Sequence, residues 1–314
     1  MTEHARFTID CEPQQPGYVA SYLRMAGHEC AFIETYTTHA VPRMLAELAR
    51  VGRSPQDVRY VVVTHAHLDH AGGASALLRA CPNATLLAHP RAARHLIDPS
   101  KLVASATQVY GEEHFRKVYG TIEPIAESRV RALGDGDAFE LGDATLRVHH
   151  TAGHAKHHFV VDDETLDTVF TGDTFGLVYP RLQRNGLFAI ASTSPTDFDG
   201  PEAHKSVDLV LKLDRSTVCP THFGAVQHPK AVAAQLRTWI DRSMRWQNEA
   251  SASTLDAQGM SKRIADEIRA ALEKDAVAIG LALTSEDWAL LKLDVELNAD
   301  GLAFAAQRAR APKP

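Results

Sequence analysis

No two of the four cysteines in this 314-residue sequence form a Cys-x-x-Cys pair; Cys11, Cys30, Cys81 and Cys219 are widely scattered. That spacing speaks against a disulfide scaffold or a zinc ribbon and fits reduced thiols in a cytoplasm. An excess of basic residues is missing too. Thirty-three Lys and Arg against 39 Asp and Glu leave a formal net charge of -6 at pH 7, which offers a polyanion little and counts against a nuclease. No apolar run reaches the length needed to cross a bilayer, and the opening MTEHARFTIDCEPQQPG has no basic region followed by an apolar one. No internal repeat or low-complexity tract stands out. The expectation is a cytoplasmic protein with neither a nucleic-acid nor a membrane partner, acting on a small molecule.

Pattern along the chain is plentiful. The first third alternates strand-like and helical stretches: RFTIDC and CAFIETY read as strands, and Val41 to Gly52 as a helix with Pro42 in its first turn and Gly52 at its stop. Arg59 to Thr64, RYVVVT, is a β-branched run suited to a strand buried on both faces, and GASALLRACP and ATLLAHP follow as helix and strand. A mostly helical, polar stretch from Asp98 to Ala132 leads into strands from Arg131 to Phe170, punctuated by GDGDAFELGD; VDLVLKL suits a helix and STVCPTHFG a strand ending in a loop. Beyond Pro229 only helical periodicity remains. This predicts a mixed α/β domain over 1–228 and a helical extension over 229–314 packed on it. Trp239, Trp246 and Trp288 in that extension either anchor a homo-oligomer through the C-terminal helices or cover their own chain.

Histidine is the abundant special residue, at 17. In HAHLDH, His65 and His67 have the i, i+2 spacing that aligns side chains on an extended segment, so both can converge on one metal as the chain leaves the RYVVVT strand. Asp69 and His70 follow where the chain turns, and Gly72 and Gly73 permit close backbone approach before a helix. Four ligands at one strand end exceed what one tetrahedral ion takes from a single loop, which points to a pair of ions. Three later strand-like runs end at His154, Asp173 and His222, so strand followed by ligand recurs, as in a site built along one edge of a sheet sandwich.

THAHLDH, TAGHAKHH, TGDT and THFG, in that order and at those separations, resemble the metallo-β-lactamase-fold metallo-hydrolases, the superfamily that includes glyoxalase II and quorum-quenching lactonases. The likeness spans about Phe7 to Gln227, and Pro90 to Leu102 is similar to an uncharacterised subgroup. The resemblance implies an αββα sandwich of two mixed β-sheets flanked by helices. It also implies a dinuclear site, with His65, His67 and His154 on one ion, Asp69, His70 and His222 on the other, and Asp173 bridging. Asp69 and Asp173 would orient a metal-bridging hydroxide. The donor set suits two zinc ions, with iron or manganese also fitting. Two departures stand out. Thr-Ala-Gly-His-Ala, Thr151 to Ala155, replaces a common Thr-Pro-Gly-His-Thr and loses a proline's stiffness, and IETYTTH, Ile33 to His39, stands where many members have Asp-Thr-Gly, leaving Glu34 without an assigned role. His158 is a candidate support for the loop near His154; His149, His150 and His157 read as exposed.

Substrate contacts are sought in the long connection after Asp173, Thr174 to Pro195. There Tyr179 could donate to a developing oxyanion, Arg181 could hold a carboxylate and Phe175 could line the pocket; loop packing and solvent exposure is the alternative for each. Lactonases of this fold often carry a tyrosine three residues after the bridging aspartate, where this chain has Gly176. The leading expectation is a dinuclear hydrolase of a small ester, lactone or thioester. The alternatives are a mononuclear iron persulfide dioxygenase-like oxidoreductase, against which His222 and the lack of an Arg-Gly-Cys-Gly segment speak, and, more remotely, a phosphodiesterase.

Overall fold

Val58–Val63, VRYVVV, has five of its six residues buried, as a β-branched run covered on both faces should. In the structure, a computed structural model that describes residues 3–12, 15–193 and 197–310, it is the fourth strand of a sheet whose order follows the chain. That sheet comprises β1 (His4–Asp10), β2 (Ala20–Ala26), β3 (Glu29–Ile33), β4 (Val58–Val63), β5 (Thr85–Ala88) and β6 (Val130–Ala132). β1 to β3 pair antiparallel and β3 to β6 parallel. The parallel steps need crossovers, and helices supply them. α1 (Val41–Arg50) lies between β3 and β4, α2 (Leu68–Ala71) and α3 (Ala74–Ala80) between β4 and β5, and α4 (Pro90–Ile97), α5 (Ser100–Tyr110) and α6 (Glu112–Tyr119) between β5 and β6. A second sheet holds β7 (Ala138–Leu141), β8 (Ala144–Thr151), β9 (His158–Asp163), β10 (Thr168–Leu177) and β11 (Thr217–His222), neighbouring in the order β11-β10-β9-β8-β7. The remaining helices are α7 (Gly200–Lys212), α8 (Pro229–Ala252), α9 (Ala257–Ala278) and α10 (Ser285–Arg310). Two sheets with flanking helices and a helical C-terminal part are thus present.

The chain divides into two compact units. Met1–His150, His157–Gly172 and Arg215–Ala225 form the first; Thr151–Lys156, Asp173–Asp214 and Val226–Pro314 form the second. In the first unit the period of two along each strand decides which core a side chain joins. Val61 and Val63 of β4 and Phe32 of β3 face a cluster with Met44 and Leu48 of α1 and Leu77 of α3. Tyr60, Val62 and Ile33 face the other way, into a cluster with Phe139, Phe159 and Phe170 of the second sheet. One sheet therefore separates a helix-facing core from a sheet-facing core.

β2, ASYLRMA, is an element the sequence pattern did not signal, since its arginine, methionine and alanines are poor strand markers. All seven of its residues are buried. Arg24 is tolerated there because its guanidinium meets the Asp163 carboxylate of β9, Nε to Oδ2 2.5 Å, and also donates to the Met25 carbonyl. A buried charge persists only when so paired.

In the second unit α10 packs on α8 and α9, and α7 on α8. Trp239 and Trp246 of α8 are buried, their rings 6.0 Å apart and edge-on, and Trp288 of α10 is half-buried under the Arg269 guanidinium. Trp239 and Trp246 thus cover their own chain.

All four cysteines are buried and free. Burial pushes the thiols of Cys11, Cys30 and Cys219 up to about 12 and that of Cys81 to about 11. Thiolates therefore form more readily in the unfolded chain, so these groups stabilise the fold below a pH of about 9 and cease to as pH climbs through their folded values. At pH 8 the native protein should leave an aromatic disulfide reagent unreacted over minutes, and release four equivalents of chromophore in denaturant. Rapid labelling of the native protein would contradict the buried assignment.

Candidate metal centre

In the first unit the chain leaves β4 at Val63 and runs straight into the histidine motif. His65 is wholly buried, and its Nε2 lies 2.9 Å from His67 Nδ1. His67 has extended backbone, φ -61 and ψ 147, and its carbonyl accepts from the His70 and Ala71 amides, which starts α2. The i, i+2 pair is therefore presented by extended chain, and Asp69 and His70 by the first helical turn after it. His222, the last residue of β11, donates Nδ1–H to the Tyr18 carbonyl at 3.0 Å, which turns its Nε2 toward Asp69 Oδ2 at 3.4 Å. His70 Nε2 lies 3.6 Å from the same oxygen. One donor atom from each of Asp69, His70 and His222 falls within 4.8 Å of the others, a set that could hold a metal ion. Gly73 accounts for the sharp turn after it, because a Cβ there would stand 2.5 Å from the Thr35 carbonyl oxygen and 2.8 Å from that of Thr37.

Glu34, the residue without an assigned role, organises this corner. Its backbone sits at φ 69, rare for a residue with a side chain, and its carboxylate is buried. Oε1 accepts the Thr64 amide at 3.0 Å, and Oε2 takes His70 Nδ1 at 2.8 Å. The Thr35 amide and hydroxyl both donate to the His70 carbonyl, at 2.8 and 2.7 Å. A carboxylate on Nδ1 fixes the tautomer and makes Nε2 the ligating atom. The sequence signal was an acid just past a strand end, next to the threonine that anchors the turn.

In the second unit His154 and Asp173 come together. His154 Nε2 lies 3.5 Å from Asp173 Oδ2, and its Nδ1–H points at the Ser192 carbonyl at 3.4 Å. Ser192 Oγ donates to Asp173 Oδ2 at 3.3 Å. The loop around His154 lacks the family's proline, and α7 supplies the stiffness instead. The Asp199 amide donates to the Gly153 carbonyl at 2.9 Å and Ser206 Oγ to the Ala152 carbonyl at 2.7 Å.

The histidines around the motif are less exposed than expected. His158 is buried with its ring 4.9 Å from that of His65. His149, His150 and His157 are half-buried rather than exposed. His157 accepts the Ala66 amide at 3.4 Å and lies 5.5 Å from the His67 ring, and His150 packs 4.2 Å from His89, whose imidazole is pushed down to about 4 by burial and by His150. His149 and His150 lie near the end of β8 and His157 just before β9, and the neighbouring rings of His89 and His67 cover His150 and His157, a placement that single-residue exposure statistics miss.

Of the connection Thr174 to Pro195, the last two residues lie outside the described residues. Tyr179 is buried and donates its hydroxyl to both Asp294 oxygens at 3.1 Å. Arg181 pairs through Nε with Asp287 at 2.7 Å, where Arg184 joins it at 2.6 Å, and these cations hold the Asp287 carboxyl well below its usual range although burial opposes them. Phe175 is fully buried. Tyr179 and Arg181 thus meet acidic side chains of α10. Gly176, at the position of the lactonase tyrosine, has φ +79, and a Cβ there would stand 2.4 Å from Leu236 Cδ2 and 2.5 Å from the Ile190 carbonyl oxygen.

A family model described as the metallo-beta-lactamase superfamily matches residues 16–222, more than half of the chain. The metallo-beta-lactamase fold-containing protein ST1585 of Sulfurisphaera tokodaii is 29% identical over 187 residues, which cover 58% of this chain and 67% of that protein. Its crystal structure, described as an archaeal metallo-beta-lactamase superfamily protein, aligns with a TM-score of 0.67 at 22% identity over 95% of this chain and 98% of that one. The metallo-beta-lactamase family protein TTHA1429 of Thermus thermophilus aligns with a TM-score of 0.65 at 19% identity, covering 96% and 91%. An atrochrysone carboxyl ACP thioesterase of Aspergillus fumigatus is 23% identical over 224 residues, 69% of this chain and 54% of that protein. Likeness to these solved structures shows the fold.

The space around Gly176 makes a test. Gly176→Tyr combines a left-handed backbone with overpacking, and should cost about 3 kcal/mol or more of stability. Urea denaturation would measure it; a midpoint equal to wild type would mean that the position is open.

Proposed function

We propose that this chain, which belongs to the metallo-β-lactamase superfamily, is a metal-dependent hydrolase that cuts a small carboxylic ester, lactone or thioester with two divalent ions. The ligands we assign are His65, His67 and His154 for one ion, Asp69, His70 and His222 for the other, and Asp173 for both; the assignment follows the order and separation of the family's motifs. The observation that carries the reading is the convergence of Asp69, His70 and His222. It is the chemistry of a borderline divalent cation's donor set, two imidazoles and a carboxylate, and it favours zinc, with iron or manganese acceptable.

The donors fit such an ion in a specific respect. Nδ1 of His70 is given to Glu34 and Nδ1 of His222 to the Tyr18 carbonyl, so Nε2 of both rings is turned to Asp69 at separations longer than a good hydrogen bond. His154 has the same arrangement, with Nδ1 toward the Ser192 carbonyl. When bound, such ions supply Lewis acidity and a water acidified toward neutrality. The chain's part is to hold three imidazoles in one tautomer each, and to offer the Asp69 and Asp173 carboxylates as acceptors that orient a nucleophilic water and offset cationic charge. Inclusion of His222 in the donor group favours this reading over a one-ion oxidoreductase, and the relative named as a thioesterase supports a thioester among the substrates. In this reading Tyr179, Arg181 and Phe175 shape the pocket by fixing its connection, and direct substrate contact falls to other groups.

Two variants test it. Asp173→Ala should lower bound metal below two equivalents by elemental analysis and reduce turnover at least about a thousandfold on whichever ester, lactone or thioester the wild type hydrolyses; wild-type turnover in that variant would sink the assignment. Glu34→Gln keeps the volume but loses the charge that orients His70, and should weaken zinc retention against a competing chelator roughly ten- to hundredfold. Oxygen uptake with glutathione persulfide, in place of hydrolysis, would bring back the oxidoreductase.

A further inference from the structure

The C-terminal helix α10 carries three buried polar side chains, Asp287, Asp294 and Asn298. At spacings of seven and four they form one stripe along the helix. Each grips the segment after Asp173: Asp287 takes Arg181 and Arg184, Asp294 takes the Tyr179 hydroxyl, and Asn298 takes Thr193. The first two grips are an ion pair and a hydrogen bond to side chains of the segment. The third differs because of what stands next to it.

Asn298 Oδ1 accepts the Thr193 amide at 2.6 Å and the Thr193 hydroxyl at 3.0 Å, and its Nδ2 donates to the Ala191 carbonyl at 3.4 Å. The carboxamide therefore holds the residues on both sides of Ser192. Ser192 in turn touches Asp173 with its hydroxyl, at 3.3 Å, and His154 with its carbonyl, at 3.4 Å. Upstream, the paired amides and carbonyls of Leu177 and Ile190, at 2.9 and 3.2 Å, and Gln235 Oε1 on the Ala189 amide, at 2.6 Å, close the loop. With its start pinned there, the loop leaves Ser192 a position set by Asn298.

We propose that Asn298 is a positioning residue for the metal ligands Asp173 and His154, acting through Ser192, so that a helix some 125 residues beyond the bridging aspartate tunes the site. The proposal rests on the reading of Asp173 and His154 as ligands. Losing the carboxamide frees Ser192, which relaxes the tautomer constraint on His154 and the orientation of the Asp173 carboxylate.

The test uses the full chain loaded with zinc and a competing chromogenic chelator. Asn298→Leu, close in volume but without the amide, should weaken zinc retention about tenfold and lower kcat more than it raises KM. Asn298→Asp, which keeps an acceptor for Thr193, should recover most of that retention. Arg184→Ala, which breaks another grip of the same helix, should lower thermal stability while zinc retention stays within about twofold, separating positioning from general docking of α10. If Asn298→Leu does not fold, Ser192→Ala carries the test, since it removes the hydroxyl on Asp173 without touching the helix, and should also weaken retention. Equal retention in wild type and the folded Asn298→Leu or Ser192→Ala variant overturns the proposal, as does loss in Arg184→Ala matching that in Asn298→Leu. A wild-type chain that retains no zinc would overturn the underlying metal reading instead.

Discussion

One carboxylate ties the first unit's donor cluster to its fold. Glu34 stands just past β3, and its two oxygens reach the Thr64 amide just past β4 and the His70 imidazole in α2. Three elements that are distant along the chain therefore meet at one buried anion, whose partners are an amide dipole and a ring N–H. The positive φ at Glu34 is the conformational cost of pointing the side chain back across the end of the parallel pair. Without that reach His70 would keep its place in the helix but lose its preferred tautomer, and Nε2 would not be committed to Asp69.

Buried charge recurs one layer away, with a different effect. Arg24 of β2 and Asp163 of β9 are both fully buried, and Arg215 reaches Asp162 at 2.7 Å beside them. Such pairs rarely add much net stability, because desolvation consumes most of the Coulombic gain. What they add is register: β2 can face the second sheet only where Arg24 meets Asp163, since a slip would strand a guanidinium among Tyr22, Phe159 and Phe170. Placement of β2 against β9 is thus specified by electrostatics as well as by volume.

Much of this was legible in the residues. The β-branched VRYVVV run, α1 with its early proline, and the three tail helices follow from periodicity and end signals; α1 spans Val41–Arg50 with proline in its first turn. The ligand candidates were visible because spacing promotes some histidines over others. What escaped did so for physical reasons. β2 was hidden because residues with weak strand preference are held there by a partner in β9, information that lies 139 positions away. Glu34 and His157 were opaque because their roles depend on which strand ends adjoin. Tyr179 and Arg181 were candidates because an aromatic and a cation in a long connection have that chemistry, and their carboxylate partners in α10 lie 115 and 106 positions away.

The connection after Asp173 is held by side chains of another element as well as by its own backbone pairing. Beyond β10, which ends at Leu177, residues 178–193 have little regular structure of their own, and their backbone groups need partners. α10 adds side chains of short reach: Asn298 takes the Thr193 amide and the Ala191 carbonyl, while Asp287 and Asp294 take the Arg181, Arg184 and Tyr179 side chains. The helix presents that stripe beside a face packed on α8 and α9, so the order of the loop derives in part from the apolar packing of the tail. On the proposed reading, divergence in the tail would act on His154 and Asp173 through geometry, because a different terminal helix would hold the residues around Ser192 differently.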